Sequence, residues 1–201
     1  FKVVGLYGLR DEFGLEGILF YQLDRAKKQG QLQINPFEQG FIEEANQNNI
    51  NLKDIITEGF DLLKCIPRSD GGMLIVAEQK EIAQEDDIIM VNGIPQSTSK
   101  NIYNFNEILV MNYDNEGFLD WYKVITKNQT TVNDGGYYSS AVVYTNDKFI
   151  EIYYNDQLRS TGEIMQYTIF NNGVSKSRKL LKLELDYVAL IPRESKQVSS
   201  N

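Results

Sequence analysis

The chain has 201 residues, of which 42% are hydrophobic and 11% aromatic, and its formal net charge is −8 at pH 7. A chain of this length can bury a core as one domain or as two small ones. The acidic balance argues against nucleic-acid binding through a basic face, and no apolar run in the sequence reaches the ~18 residues of a membrane-spanning helix.

Residue usage excludes several kinds of chemistry. The sequence contains no histidine, which excludes Ser-His-Asp and Cys-His catalysis and removes the commonest transition-metal ligand. Its one cysteine, Cys65, excludes an internal disulfide, and we expect this side chain to be a buried small hydrophobe. We predict no enzyme activity, no cofactor and no metal site. A carboxylate pair for glycoside hydrolysis stays open, because 28 acidic residues always supply candidates.

Runs of β-branched and aromatic residues bounded by turn residues predict strands in the first half of the chain. The predicted strands are 2–7, 17–24, 31–34, 62–66 and 73–78. Residues 37–60 are rich in Asn and Gln and have apolar residues at helical spacing after residue 51, so they predict one short helical insertion. Residues 84–104 carry an acidic run and are predicted to be a polar, solvated loop.

The stretch 107–156 carries the clearest strand signals. Residues 107–125 predict a β-hairpin, because the turn at 114–117 has an Asx residue first and glycine last. After a polar loop, residues 137–154 predict a second hairpin with strands 137–144 and 148–154. We expect the two hairpins to be antiparallel neighbours in one sheet. A further hairpin is predicted at 163–183 and the start of one more strand at 187–192.

These strands repeat along the chain. One strand type begins at Lys2, Met73 and Lys148, and a second, followed by a turn with glycine, begins at Gly17, Glu107 and Glu163. A unit of four antiparallel strands is the blade of a β-propeller. We therefore predict an all-β fold of antiparallel four-stranded meanders, β-propeller-like but incomplete at about three blades. A β-sandwich or an irregular stack of sheets is the alternative.

The predicted propeller-like region spans 1–201 as a single region, and we expect it to be a fragment of a longer chain. An incomplete propeller exposes apolar blade faces and unpaired strand edges. We therefore expect the chain not to be a free monomer.

Several short motifs carry a resemblance to a known family. They include Gly5-x-Tyr7, Asp70-Gly71-Gly72, Asp114-x-x-Gly117, Lys127-x-Gln129, Asp134-Gly135-Gly136-x-Tyr138-Ser139-Ser140 and Asn155-Asp156. Their pattern resembles uncharacterised, secreted, propeller-like proteins of Bacteroidota-type cell envelopes, over most of the chain. The resemblance implies extracytoplasmic placement, in the periplasm or at the outer membrane, and a β-rich scaffold. The family has no established activity, so it implies nothing about catalysis.

The candidate binding residues are aromatic or lie at strand ends: Trp121, Tyr137, Tyr138, Asn155 and Asp156. The tyrosines belong to the sharpest local cluster, residues 134–140, which fits either a turn leading into a strand or a recognition loop. Trp121 fits either blade packing or a sugar platform. Asn155 and Asp156 fit an Asx turn that closes the fourth strand of the stretch.

Two functions from different classes fit these features. The first is a non-enzymatic extracytoplasmic scaffold or protein-binding module of a bacterial cell envelope, with a protein partner in an envelope complex and no nucleic-acid partner. The alternative is a carbohydrate-binding or glycoside-acting propeller domain. That alternative requires an aromatic platform, and for hydrolysis two acids, in one cleft. A third interpretation is a structural fragment of a protein whose activity lies elsewhere.

Overall fold

A computed structural model describes residues 2–8, 16–24, 26, 28–37, 59–156, 158, 162–182 and 189–198. The strands of this part of the chain are β1 (Lys2–Tyr7), β2 (Gly17–Asp24), β3 (Gln29–Pro36), β4 (Phe60–Pro67), β5 (Met73–Val91), β6 (Ile94–Tyr113), β7 (Leu119–Ile125), β8 (Gln129–Val132), β9 (Ala141–Thr145), β10 (Phe149–Asp156), β11 (Glu163–Phe170) and β12 (Ser175–Lys182). A 3-10 turn at Pro192–Glu194 is the sole helical element among the same residues. None of the described helical residues forms a helix long and apolar enough to cross a membrane.

The strands form three antiparallel sheets, which confirms the all-β prediction. Their orders are β1-β2-β3, β4-β5-β6-β7 and β9-β10-β11-β12, and β8 pairs with β6 outside the second order. Within each of these three orders, strands that follow one another in sequence are paired, as in a meander.

Three hairpin turns among the described residues have the same form. The turn before β5 is closed by Arg68 N donating to Gly72 O at 3.0 Å, and the turn before β7 by Asp114 N donating to Phe118 O at 2.9 Å. The turn before β12 is closed in the same way, by the backbone of Phe170 and Val174 at 2.9 Å. Each of these turns contains a glycine at positive φ: Gly71 (90°), Gly117 (91°) and Gly173 (80°).

The chain divides into two compact units. The first comprises Phe1–Gln79 and Glu107–Thr126, and the second Lys80–Asn106 and Lys127–Asn201. Strands β5 and β6 contribute residues to both units.

The core of the first unit is a single apolar cluster. Its buried members are Ile18, Met73, Ile75, Leu109, Met111 and Tyr113. The ring of Phe20 packs edge-on against Tyr113, with centroids 5.0 Å apart. In the second unit, the buried apolar residues of β10 and β11 include Ile150, Ile152, Tyr154 and Ile169. Cys65 is exposed on β4, so the prediction that it is buried is wrong.

Two predictions about the central stretch are wrong. The hairpin at 107–125 belongs to the five-stranded sheet as part of β6 and β7, whereas β9 and β10 belong to the four-stranded sheet, so the two hairpins are not neighbours. Residues 84–104 are not a loop, because β5 and β6 continue through them and are joined by a two-residue turn. That turn is Asn92-Gly93, with φ of 54° and 80°, a strong hairpin signal that the acidic run obscured.

Two further predictions fall at or beyond the edges of the described residues. The helical insertion predicted near 37–60 lies almost entirely outside them, since residues 38–58 are not described. The strand predicted at 187–192 is absent from residues 189–191, and the 3-10 turn follows directly.

Candidate functional site

Residues 133–140 form a compact turn in the second unit, not the start of a strand. Asn133, Gly135, Gly136 and Ser140 all have positive φ, so the backbone is not extended until β9 begins at Ala141. The Asp134 carboxylate holds the turn, since Oδ1 accepts from Thr131 Oγ1 at 2.6 Å and from Gly136 N at 2.8 Å. The strand predicted at 137–144 therefore begins four residues too early.

A buried polar network lies beneath this turn. Lys127, Gln129 and Asn155 are each at most 3% exposed. The Lys127 ammonium donates to Phe105 O at 2.9 Å and to Gln129 Oε1 at 2.8 Å. Gln129 Oε1 also accepts from Ser140 N at 2.7 Å, and Gln129 Nε2 donates to Asn155 O at 2.7 Å. Buried polar groups that are hydrogen-bonded in this way fix the local structure, so the network is scaffolding.

Asn155 ties three segments of the second unit together. Its Nδ2 donates to Tyr138 O and to Leu190 O, each at 2.7 Å. Its Oδ1 accepts from Leu190 N at 2.8 Å. The predicted Asx turn is thus replaced by a long-range tie, and Asn155 is too deeply buried to meet a partner. Asp156, the last residue of β10, is half-buried opposite Glu163.

The two tyrosines of the turn form an aromatic pair, with ring centroids 5.0 Å apart. The Arg193 guanidinium stacks on Tyr137, 4.1 Å from the ring centroid. Tyr138 is exposed. Tyr154, which precedes Asn155 on β10, is buried, and this burial raises the pKa of its phenol to about 12, so the phenol stays neutral at pH 7. Three of the five predicted residues, Tyr137, Tyr138 and Asn155, are therefore brought together by the structure. Of these three, Tyr138 is exposed, Tyr137 is half-buried beneath Arg193, and Asn155 is buried.

Trp121 lies apart from this group, on β7 of the first unit. It is half-buried and sits opposite Asn112 of β6. The neighbouring Tyr122 packs against the core cluster of the first unit. Because side chains alternate along a strand, Trp121 lies on the other face of the sheet.

The sequence pattern did not predict one feature of the second unit, the distal part of the β5–β6 hairpin. This part, residues 80–105, is here called the arm. In a two-residue hairpin the residues flanking the turn are opposite each other, so residue 85 faces residue 100. Side-chain contacts agree with this register. Lys100 pairs with Glu85 at 2.9 Å, Asn104 Nδ2 donates to Glu81 Oε2 at 3.0 Å, and Lys80 lies 5.7 Å from the Phe105 ring centroid.

The last residues of the arm, here called the tip, form an exposed apolar cluster. Their exposed fractions are 72% for Ile88, 45% for Ile89, 66% for Met90, 38% for Val91 and 64% for Ile94. Alternation places Ile89, Val91 and Ile94 on one face and Ile88 and Met90 on the other. The tip is therefore apolar on both faces. The Asn-Gly turn with four successive apolar residues before it was the signal that could have identified it.

Neither a metal site nor a relative narrows the choice of function. Across the described residues, no three or more Cys, Asp or Glu side chains are grouped so that they could hold a metal ion. No family model, curated protein or solved structure matches the chain.

Proposed function

We propose that this protein is a non-enzymatic, extracytoplasmic binding or scaffold module of a bacterial cell envelope, and that it holds a partner protein by the tip of its arm. The observation that carries the proposal is the tip itself. Contiguous apolar clusters on a protein surface mark sites of interaction, whereas singly exposed apolar residues do not. The extracytoplasmic placement rests on the resemblance to envelope proteins.

The two-faced character of the tip decides what kind of partner fits. A hairpin that docks on a flat surface needs one apolar face and one polar face. Here Ile88 and Ile94 lie on opposite faces, and each has more than half of its surface exposed. Burial of both faces requires a cleft that closes around the tip, as when an extended segment inserts between elements of another protein.

The negative charge next to the tip indicates which residues surround the cleft of the partner. Glu85, Asp86 and Asp87 directly precede the tip, and all three are exposed. These carboxylates favour a partner with Lys or Arg around an apolar cleft. They disfavour an anionic lipid surface, and they disfavour a second copy whose own acidic run would have to approach.

The arm also limits pairing along its edge. Pro95 lies on β6 one residue after the start of the strand, and proline has no N–H to offer an added strand. Insertion of the tip is therefore favoured over edge-to-edge extension of β6.

The propeller-like arrangement belongs to the same proposal. It is supported by the consecutive antiparallel meanders and by the glycine turns before β7 and β12, which both join the third and fourth strands of their orders. In such a scaffold the blades supply a rigid base, and an extended hairpin of one blade supplies the contact.

The test is binding with one substitution on each face of the tip. The wild-type chain is used to capture envelope proteins, and the retained protein is purified and titrated by calorimetry. Ile88→Ser and Ile94→Ser should each weaken binding by at least about tenfold, because a buried isoleucine of an interface core is lost. Added salt should weaken binding further, since the acidic residues meet a basic rim.

Ile34→Ser on β3 is the matched control, because Ile34 is 54% exposed and lies in the other unit. It should bind like the wild type. Binding that both tip variants retain would refute the proposal. If only one of the two tip variants loses binding, the tip binds a partner protein by one face, and the cleft that encloses both faces is excluded.

A further inference from the structure

The first unit contains a cavity of about 430 Å³ to which no role has been given. This volume lies in the range of small-molecule sites. One wall is a face of the β1–β3 sheet, and the other is the turn before β7 with the exposed ring of Phe118. Both walls belong to the same unit.

The sheet face changes character along its length. In the register of β1, β2 and β3, Leu6, Ile18 and Asn35 form one row, and Lys2, Gln22 and Gln31 form another. Ile18 is fully buried at the core, whereas Gln22 and Gln31 are exposed at the cavity. Between these rows, Phe20 and Gln33 sit opposite each other and both line the cavity. Burial of the core alone does not explain three glutamines side by side at its edge.

The opposite wall is held rigidly. Asp114 Oδ1 accepts from Glu116 N at 2.9 Å and from Phe118 N at 2.8 Å. A Cβ on Gly117 would lie only 2.7 Å from Gln33 Oε1, so the turn is packed directly against Gln33. Phe118 follows this turn and is nevertheless 60% exposed. The turn therefore holds an aromatic ring in solvent beside three amides.

The lining chemistry selects a class of ligand. A glutamine amide both donates and accepts hydrogen bonds, as a sugar hydroxyl does. An aromatic ring offers an apolar surface to the C–H face of a sugar. Two of the three charged groups that line the cavity, Lys2 and Asp114, are already engaged by the protein, and the third, the Glu116 carboxylate, opposes an anionic ligand. Lys2 Nζ donates to Gly71 O at 2.5 Å, and Asp114 caps its own turn. A neutral ligand therefore fits better than an ion.

We propose that this cavity is a binding site for a neutral saccharide of one or two sugar units, with Gln22, Gln31 and Gln33 bonding its hydroxyls and Phe118 packing on its ring. We assign binding and not hydrolysis to this site, because Asp114 holds its own turn and Glu116 is the one other acid among the lining residues. The proposal is independent of the tip, which belongs to the other unit.

The test uses ligand-observed NMR, followed by titration, with glucose, galactose, N-acetylglucosamine, cellobiose, lactose and chitobiose as probes. At least one sugar should bind the wild-type chain. Gln31→Leu and Phe118→Ser should each lower its affinity by about tenfold, as expected from the loss of one or two hydrogen bonds or of a stacked ring. Both residues are exposed, so both variants should keep the wild-type circular dichroism spectrum.

Gln96→Leu is the matched control, because it makes the same change at an exposed position of the arm. It should bind sugar like the wild type. The proposal is overturned if none of the six sugars binds, or if binding is the same in Gln31→Leu and Phe118→Ser as in the wild type. The tip variants should retain sugar binding in full, so failure of either proposal is seen separately.

Discussion

At the scale of single residues, Asn155 shows how a short polar side chain acts far beyond its own turn. It joins the end of β10 to the turn at Tyr138 and to the segment at Leu190, which lies 35 positions away in the chain. Both amide atoms are used, and the side chain is buried. A residue with these contacts determines where the neighbouring segments lie.

We expect Asn155→Ala to lower the free energy of unfolding by about 2–3 kcal/mol, because it removes three hydrogen bonds to partly buried backbone groups of Tyr138 and Leu190. Chemical denaturation measures this change. Hydrogen exchange should also show faster exchange at the Leu190 amide. Asn128→Ala, at an exposed position, is the control and should change stability by no more than about 0.5 kcal/mol. An unchanged Leu190 exchange rate would show that the tie does not hold the segment.

At the scale of elements, several hairpin turns require a glycine because their backbone has a positive φ. Gly117 needs its φ of 91°, and it also lies directly against Gln33. Gly93 at the end of the arm has a similar φ of 80°, but no atom lies within 4 Å of an added Cβ. Comparing substitutions at the two positions therefore distinguishes the cost of a left-handed backbone, present at both, from the cost of a steric clash, present only at Gly117.

We expect Gly93→Ala to cost about 1 kcal/mol of stability, from the left-handed backbone alone, and Gly117→Ala to cost about 1–2 kcal/mol more. The extra cost comes from displacing Gln33, the residue that lines the proposed sugar site. Thermal or urea unfolding of both variants gives the comparison. Equal losses would mean that Gln33 moves away freely.

At the scale of the whole molecule, charge and exposed apolar surface act against each other. The net charge of −8 at pH 7 keeps copies apart, while the tip exposes five apolar side chains. The repulsion disappears as the pH approaches the sequence pI of about 4.7. Association without a partner should therefore depend on pH.

We expect the isolated protein to associate increasingly as the pH falls from 7 towards 5, and the Ile89→Lys/Ile94→Lys variant to associate less at every pH. Sedimentation velocity at several concentrations measures both. Ile34→Lys is the control, because it adds the same charge at an exposed isoleucine outside the tip. A wild-type protein that stays monomeric at every pH and concentration would contradict the expectation that the chain is not a free monomer.

The sequence alone determined the fold class and most of the strands of this protein. Alternating apolar residues and turns with glycine are local signals, and they located β1, β2, the hairpin at 107–125 and the repeat of meanders. They placed Tyr137 and Tyr138 at the start of a strand, whereas the structure has both in the turn before β9. Local signals say which residues are extended, but not which strands pair.

The tertiary structure decided the features that depend on distant residues. The hairpins at 107–125 and 137–154 pair in different sheets. The acidic run in 84–104 is extended because β5 pairs with β6 along it. The role of Asn155 was decided by Leu190, and the cavity by residues of β2 and β3 meeting the turn before β7. Whether the tip is exposed also depends on the tertiary structure, because the same apolar sequence occurs in buried strands and in exposed hairpins.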